Sequence, residues 1–417
     1  MRHFKYAIVA LSIVWSSSGS ADTLVRGGKI ISGDRDQSFV ADILISGKLI
    51  IAIGSDLSVS DDTIVIDALG KTVTTGLINS YTQLSLTEVG AVKQTRDYET
   101  GNKRITASLR VSDAINSNSV AIPYNRMLGL THAVVQPNSK SGLFAGTAAI
   151  IKLTDRDTVQ QTSAAMVVKL GSQGQRLAGG SRAAAMAMLR EAFEDARDYR
   201  DNRDSFNRGA RRDYPLSRHD LEALIPVLEG RMPLIVHVDR AVDIERVVDF
   251  AALNKLNLII ASADEGWRVA EKLAANKVSV IIDPMSNLPS SYDSLGARLD
   301  NAKLLNDAGV TLLFTGGGSH KAQLVRQSAG NAVANGLPYK AAIKAMTSNP
   351  AQVFGMDNMG NISEGSIANL VVWSGDPLEL STSVESVFIE GVDQPLVSRN
   401  TRLRDRYFSR LKNSAGN

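Results

Sequence analysis

Residues 232–283 read MPLIVHVDRAVDIERVVDFAALNKLNLIIASADEGWRVAEKLAANKVSVIID. Three short apolar runs, MPLIVHV, LNLIIASA and VSVIID, are separated by AVDIERVVDFAALNK and GWRVAEKLAANK, whose apolar residues recur at helical spacing. Short Val/Ile/Leu runs of this kind read as strands buried on both faces, and strand–helix alternation builds a parallel sheet. The rhythm extends upstream to MVVKLG (166–171) and downstream to VTLLFTGGG (310–318). A (β/α)8 barrel takes about 250 residues, which the interval from Gly76 to Gly355 supplies; an open doubly wound sheet is the alternative.

Outside that interval the texture changes. TLVRGGKII (23–31), ADILISGKLIIAIG (41–54) and DTIVID (62–67) are short apolar runs with turns at Gly27-Gly28 and Ser46-Gly47. ISEGSIANLVVWSGDPLE (362–379) and SVFIEG (386–391) repeat the pattern near the other end. The expected architecture is therefore α/β: a TIM-like barrel over 76–355 and a small β-sandwich assembled from 22–75 and 356–400, with 401–417 as a C-terminal tail. Arg182 to Arg212 is densely charged with both signs at helical spacing, the pattern of a solvated helix face. In LSRHDLEALIPVL (216–228), Ser217 is an expected N-cap, which puts His219 in an exposed first turn.

Residues 1–21 carry Arg2 and Lys5, an apolar run from Tyr6 to Trp15, and small residues ending at Ala21. That is the composition of an export signal, and about ten apolar residues are too few to span a bilayer. The expected location is periplasmic or secreted. The chain has no cysteine, so no disulfide framework holds it. A formal charge of +3 with interleaved signs points away from nucleic acid and, once the signal is removed, from membrane as partners. Small molecules remain the expected ligands.

ALGKTVTTGLINSYTQL (68–84) resembles the entry to the barrel of the amidohydrolase superfamily, and GLPYKAAIKAMTSNPAQVFGMDNMGNISEGSIANLVVWSGDPLE (336–379) resembles its last barrel helix and return to the sandwich, most of all in imidazolonepropionase-like members. The resemblance implies hydrolysis of C–N bonds, often in cyclic amides, by one or two metal ions at the C-terminal mouth of the barrel. It also implies a His-x-His pair on the first strand, because side chains two apart point the same way and both imidazoles reach one ion. Those positions hold Tyr81 and Gln83, preceded by Asn79. His237 matches the histidine of the fifth strand, Ala261 to Ala263 stand where another histidine is common, and Gly316 stands at the aspartate of the last strand. Lys169 stands near the position of the lysine that is carboxylated in some members.

With these ligands gone, the expected cofactor is either none or a single divalent ion, such as zinc, on His237. The expected catalytic residues are His237, to activate water or hold the ion, with Asp283, Glu265 or Asp264 as proton carriers. Tyr81, Gln83 and Arg96 are expected in a substrate loop after the first strand. The glycines of FTGGGSHKAQ (314–323), with Gly317 at their centre and His320 beside them, could cradle an anion on backbone N–H groups. Two functions follow: hydrolysis of a non-peptide or cyclic amide at an atypical site, or a non-catalytic barrel that binds a small molecule or pairs with itself or an active related amidohydrolase.

Overall fold

The computed structural model describes residues 21–35 and 37–415; the expected export signal lies outside them. Five strands open the chain: β1 (Thr23–Ile31), β2 (Phe39–Ser46), β3 (Leu49–Gly54), β4 (Ile64–Asp67) and β5 (Thr72–Thr75). Eight more form the second sheet: β6 (Leu77–Thr82), β7 (Leu130–Val135), β8 (Phe144–Lys152), β9 (Val159–Lys169), β10 (Leu234–Val238), β11 (Leu258–Ser262), β12 (Ser279–Ile282) and β13 (Leu312–Phe314). The last three, β14 (Leu370–Trp373), β15 (Val384–Ile389) and β16 (Val392–Asp393), return to the first sheet.

That first sheet joins both ends of the chain in the order β16-β15-β14-β5-β1-β2-β3. The first half of β1 pairs with β4 and its second half with β5, so the sheet forks. Around the fork lies an apolar cluster that includes Val25, Ile43, Val73, Leu370 and Phe388. Side chains alternate across β14: Leu370 and Val372 enter this cluster, whereas Val371 and Trp373 enter the core around the barrel. Trp373 is fully buried, and its indole Nε1 donates to Thr74 Oγ1 at 2.9 Å. The chain makes room for the ring at Gly129, whose φ is +95° and where a Cβ would lie 2.3 Å from the indole.

The second sheet runs β6 to β13 in chain order around a nearly closed barrel. Most neighbours are parallel, as the apolar runs predicted, but β8 is antiparallel to both β7 and β9. The regular (β/α)8 expectation is corrected on this point: the connections across β8 are short turns, and two-sided burial of β8 comes from a meander in place of helical crossovers. Inner residues Val167, Ile235, Ile281 and Leu313 fill the barrel. Two positions on from each stand Lys169, His237, Asp283 and Thr315, so strand alternation delivers these polar side chains to the C-terminal mouth.

β6 and β13 meet without a backbone ladder. Side chains close the barrel there. Asn79 Nδ2 donates to the carbonyls of Gly316 at 3.0 Å and Ala322 at 2.8 Å, while its Oδ1 accepts from Tyr81 N and Thr315 Oγ1. Thr315 Oγ1 also reaches Tyr81 O at 2.5 Å, and Thr82 Oγ1 donates to Gly318 O at 2.6 Å.

The expected cap at Ser217 forms, its Oγ accepting from Asp220 N at 3.2 Å. Most of the stretch expected as a C-terminal tail lies in the helix Arg399–Ala415. No helix of the described residues is long and apolar enough to cross a membrane.

Replacing a fully buried Trp leaves a cavity costing about 3–5 kcal/mol. Trp373→Ala is therefore expected to lower the unfolding free energy by about that amount in urea titration. A loss below about 1 kcal/mol would show that Trp373 does not anchor the terminal sheet to the barrel.

Candidate active site

A cavity of about 270 Å³ opens at the C-terminal mouth, bordered by Tyr81, Gln83, Asp239, Asp264, Asp283 and the glycine loop. It is built by the ends of β6, β10, β11, β12 and β13, which lie side by side only because the sheet closes. A larger cavity, about 800 Å³, lies between β8, β9 and the helix Arg218–Leu228 and includes His219. Its charged lining is already paired, Arg110 with Asp113 and Arg231 with Glu229, so nothing there converges on a ligand.

Beneath the mouth, His237 packs edge-on against Tyr81 with centroids 4.8 Å apart, and Lys169 Nζ lies 5.4 Å from the centre of the same ring. Lys169 and His237 are direct register partners on β9 and β10. Gln136 Nε2 donates to Ser80 O at 2.9 Å, which turns its Oε1 toward His237 Nε2 at 3.2 Å. An amide oxygen can only accept, so Nε2 carries the proton. Burial, and then the charge of Lys169, hold the imidazole pKa well below its ordinary value, and the ring is neutral.

Lys169 is 2% exposed. Burial brings its pKa down to about 7, partly offset by the carboxylate of Asp239. Asp239 moves the other way, up to about 7, through burial and then the nearby Asp264. Asp264 rises to about 6, chiefly through burial, against a hydrogen bond from Ser286. Asp264 reaches this position through a constrained turn: Ser262 and Ala263 have φ of +75° and +51° in succession. Left-handed non-glycine residues are costly and persist where the surroundings enforce them. Here the enforcement comes from β10, as Ala263 N donates to Val238 O at 3.1 Å and Glu265 N to Asp239 O at 3.0 Å.

The expected site residues divide. Tyr81, Gln83, Asp283 and Gly317 border the cavity. Asp283 Oδ1 is held by Met285 N at 3.0 Å and Ser328 Oγ at 2.8 Å. Glu265 is elsewhere: its two oxygens accept from Ala241 N at 3.1 Å and Gly296 N at 2.8 Å, tying the start of the helix Ala241–Asn254 to a loop. Arg96 donates to Gly90 O within its own loop. His320 is spent between Ser319 Oγ and Glu88 O, both at 2.9 Å. An anion beside Gly317 would face three carboxylates, an electrostatic setting that favours neutral or cationic ligands.

Sequence reasoning passed over Asp239, although it stands two residues after His237, the spacing that returns a strand side chain to the same face. It also passed over Gln136, which only the pairing of β7 with β6 brings near His237. Ser262 gives no signal in the sequence, because its conformation is imposed by β10.

A sequence model described as the amidohydrolase family matches residues 192–397. The chain belongs to the amidohydrolase superfamily. A curated relative, the amidohydrolase tasK of Hapsidospora irregularis, is 24% identical over 437 residues, covering 91% of this chain and 44% of the relative. The chain thus spans less than half of that relative's length. The solved amidohydrolase of Thermotoga maritima MSB8 superimposes with a TM-score of 0.80 at 22% identity, covering 90% of this chain and all of that one. A molinate hydrolase superimposes at 0.56 with 17% identity, covering 91% and 95%. These likenesses establish the fold.

Amidohydrolase barrels imply a metal at this mouth, and the residues here do not fit one. Tyr81 is a phenol whose pKa burial raises further, and its oxygen accepts from Gln83 Nε2 at 3.2 Å. The Nε2 of His237 is committed to Gln136. Among the described residues no group of three His, Cys, Asp or Glu side chains is placed to hold an ion.

A carboxyl with a folded pKa near 7 and an unfolded value of 3.8 stays protonated in the fold while it ionises in the unfolded chain. Its stability contribution therefore falls as pH rises from about 4 to about 7. Asp239→Asn removes that slope. The variant is expected to melt a few degrees above the parent at pH 8 and to converge with it near pH 4; equal melting temperatures at pH 8 would show that Asp239 is not desolvated as described.

Proposed function

We propose that this amidohydrolase hydrolyses a C–N bond of a small, uncharged or cationic amide by acid–base catalysis between carboxyl groups. One observation carries the reading: Asp239 and Asp264 border the same small cavity, with pKa values raised to about 7 and about 6. Near neutral pH the pair supplies one carboxylate and one partly protonated carboxyl, the two forms a hydrolysis needs. Asp264 takes a proton from water as its oxygen bonds to the carbonyl carbon. Asp239 gives a proton to the nitrogen as the C–N bond breaks. Lys169 and His237 lie behind Tyr81 and act as positioning groups, Lys169 by balancing the charge of Asp239. A small pocket with three carboxylates and a constrained turn is expensive to maintain in a barrel with no chemistry to perform.

Turnover of a panel of small linear and cyclic amides tests this. The expected profile is bell-shaped, with limbs near pH 6 and pH 7, and Asp239→Asn or Asp264→Asn is expected to lower kcat by about 100-fold or more. An active enzyme indifferent to both substitutions would end the proposal.

A second reading rests on the curated relative, more than half of which lies beyond the match. In it, this chain pairs with a second, related amidohydrolase that supplies the remainder. Native mass spectrometry of the two co-expressed chains would show a heteromer; full turnover by this chain alone would sink the reading. We also propose export, on the strength of residues 1–21. N-terminal sequencing of the protein from cells is expected to begin at Asp22, and an intact Met1 would overturn it.

A further inference from the structure

The helix Arg399–Ala415 is anchored at its start and exposed from Arg404 to Leu411. Ser398 is buried and caps the first turn with Thr401, each accepting from the other's backbone N–H. Thr401 and Leu403 are partly covered, and from Arg404 to Leu411 every residue is exposed. Tyr407, Phe408 and Leu411 are 56%, 58% and 65% exposed. Isolated helices of about this length are marginal in water and draw their stability from packing an amphipathic face. This helix has such a face, and from Tyr407 to Leu411 the body of the protein leaves it uncovered.

The sequence sorts the helix into two stripes. Leu403, Tyr407 and Leu411 recur every four residues, with Phe408 beside them, and Arg399, Arg402, Arg406 and Arg410 recur every three or four on another side. Arg404 is paired with Asp405, the one acidic residue of the helix, at 2.8 Å. The guanidinium of Arg410 lies 5.6 Å from the centre of the Tyr407 ring, at the border of the two stripes. An arginine face flanking an aromatic and leucine face matches the chemistry of an anionic bilayer surface, with rings at headgroup depth and guanidinium groups on phosphates. A second copy of the chain fits less well. Its helix would bring an equally basic face, and an apolar stripe of two turns is too short for a coiled coil.

We infer that the helix Arg399–Ala415 docks the protein on membranes rich in anionic lipid. The sequence-wide charge of +3 pointed away from such a partner, but that average hides five arginines against one aspartate between residues 399 and 411.

Co-sedimentation of the mature protein with phosphatidylglycerol-containing vesicles and with pure phosphatidylcholine vesicles tests the inference. The protein used begins at Asp22, so that Arg2, Lys5 and the apolar run after them do not contribute to binding. Binding to the anionic vesicles is expected to exceed binding to the neutral ones by about 100-fold and to fall with salt. The quadruple variant Arg399→Gln, Arg402→Gln, Arg406→Gln, Arg410→Gln is expected to lose that margin, and Tyr407→Ser with Phe408→Ser and Leu411→Ser to weaken binding at low salt. Equal binding to both vesicle types, or binding unchanged in the arginine variant, would overturn the inference. So would concentration-dependent dimerisation abolished by the Ser variant, which would assign the face to self-association. Amide hydrolysis in solution is expected to be unchanged in all variants, since none lies near the mouth of the barrel.

Discussion

One buried amide closes the barrel. Where β6 meets β13 there is no backbone ladder, and Asn79 spans the seam with both ends of its side chain. An amide is suited to this because it donates and accepts at once, so neither strand end is left with a buried unsatisfied group. The rest of the mouth depends on that closure. It sets the glycine loop after β13 against Tyr81 and Thr82, and so fixes the far wall of the cavity opposite Asp239 and Asp264. Gly317 shows how tight the seam is: at φ +74°, a Cβ there would lie 1.8 Å from the Lys321 carbonyl oxygen.

Away from the seam the mouth is organised by charge among buried and partly buried groups. A neutral histidine, a lysine near its neutral form and two partly protonated carboxyls lie within a few strand ends of one another. Each pKa is displaced toward the uncharged form, as desolvation requires of both acids and bases. The displacements follow from burial and from the charges these groups place on one another. Tyr81 is the hinge of this arrangement. Its ring separates Lys169 and His237 from the cavity it borders, and its backbone is bound into the seam.

Much of the fold was legible in the chain. The runs around His237, Ala261 and Ile281 became β10, β11 and β12 because parallel strands buried on both faces leave an unbroken apolar signature. The terminal strands were equally plain, with a turn at Gly47 between β2 and β3, but Gly27 and Gly28, expected as a turn, lie inside β1, where the ladder to β2 shifts register instead. β7 and β8 were not seen. LTHAVV and FAGTAAIIK carry small residues and lack the helical partners that mark a βα unit, and β8 runs against its neighbours. In the site, Tyr81, Gln83, Asp264 and Asp283 stood at readable strand ends. Glu265, adjacent to Asp264, was not separable from it until the turn at Ser262 and Ala263 sent the two carboxylates in different directions.

The sequence by itself determined the family, the periodicities that make barrel and terminal sheet, and the absence of the histidines that a metal would need; these are properties of residue identity and spacing. Tertiary structure alone decided which carboxylates share a cavity, which nitrogen of His237 holds the proton, and which apolar stripe stays uncovered on the C-terminal helix. The reason is physical. A pKa, a tautomer and an exposed face depend on what lies a few ångströms away, and in this chain those neighbours come from residues tens to hundreds of positions distant.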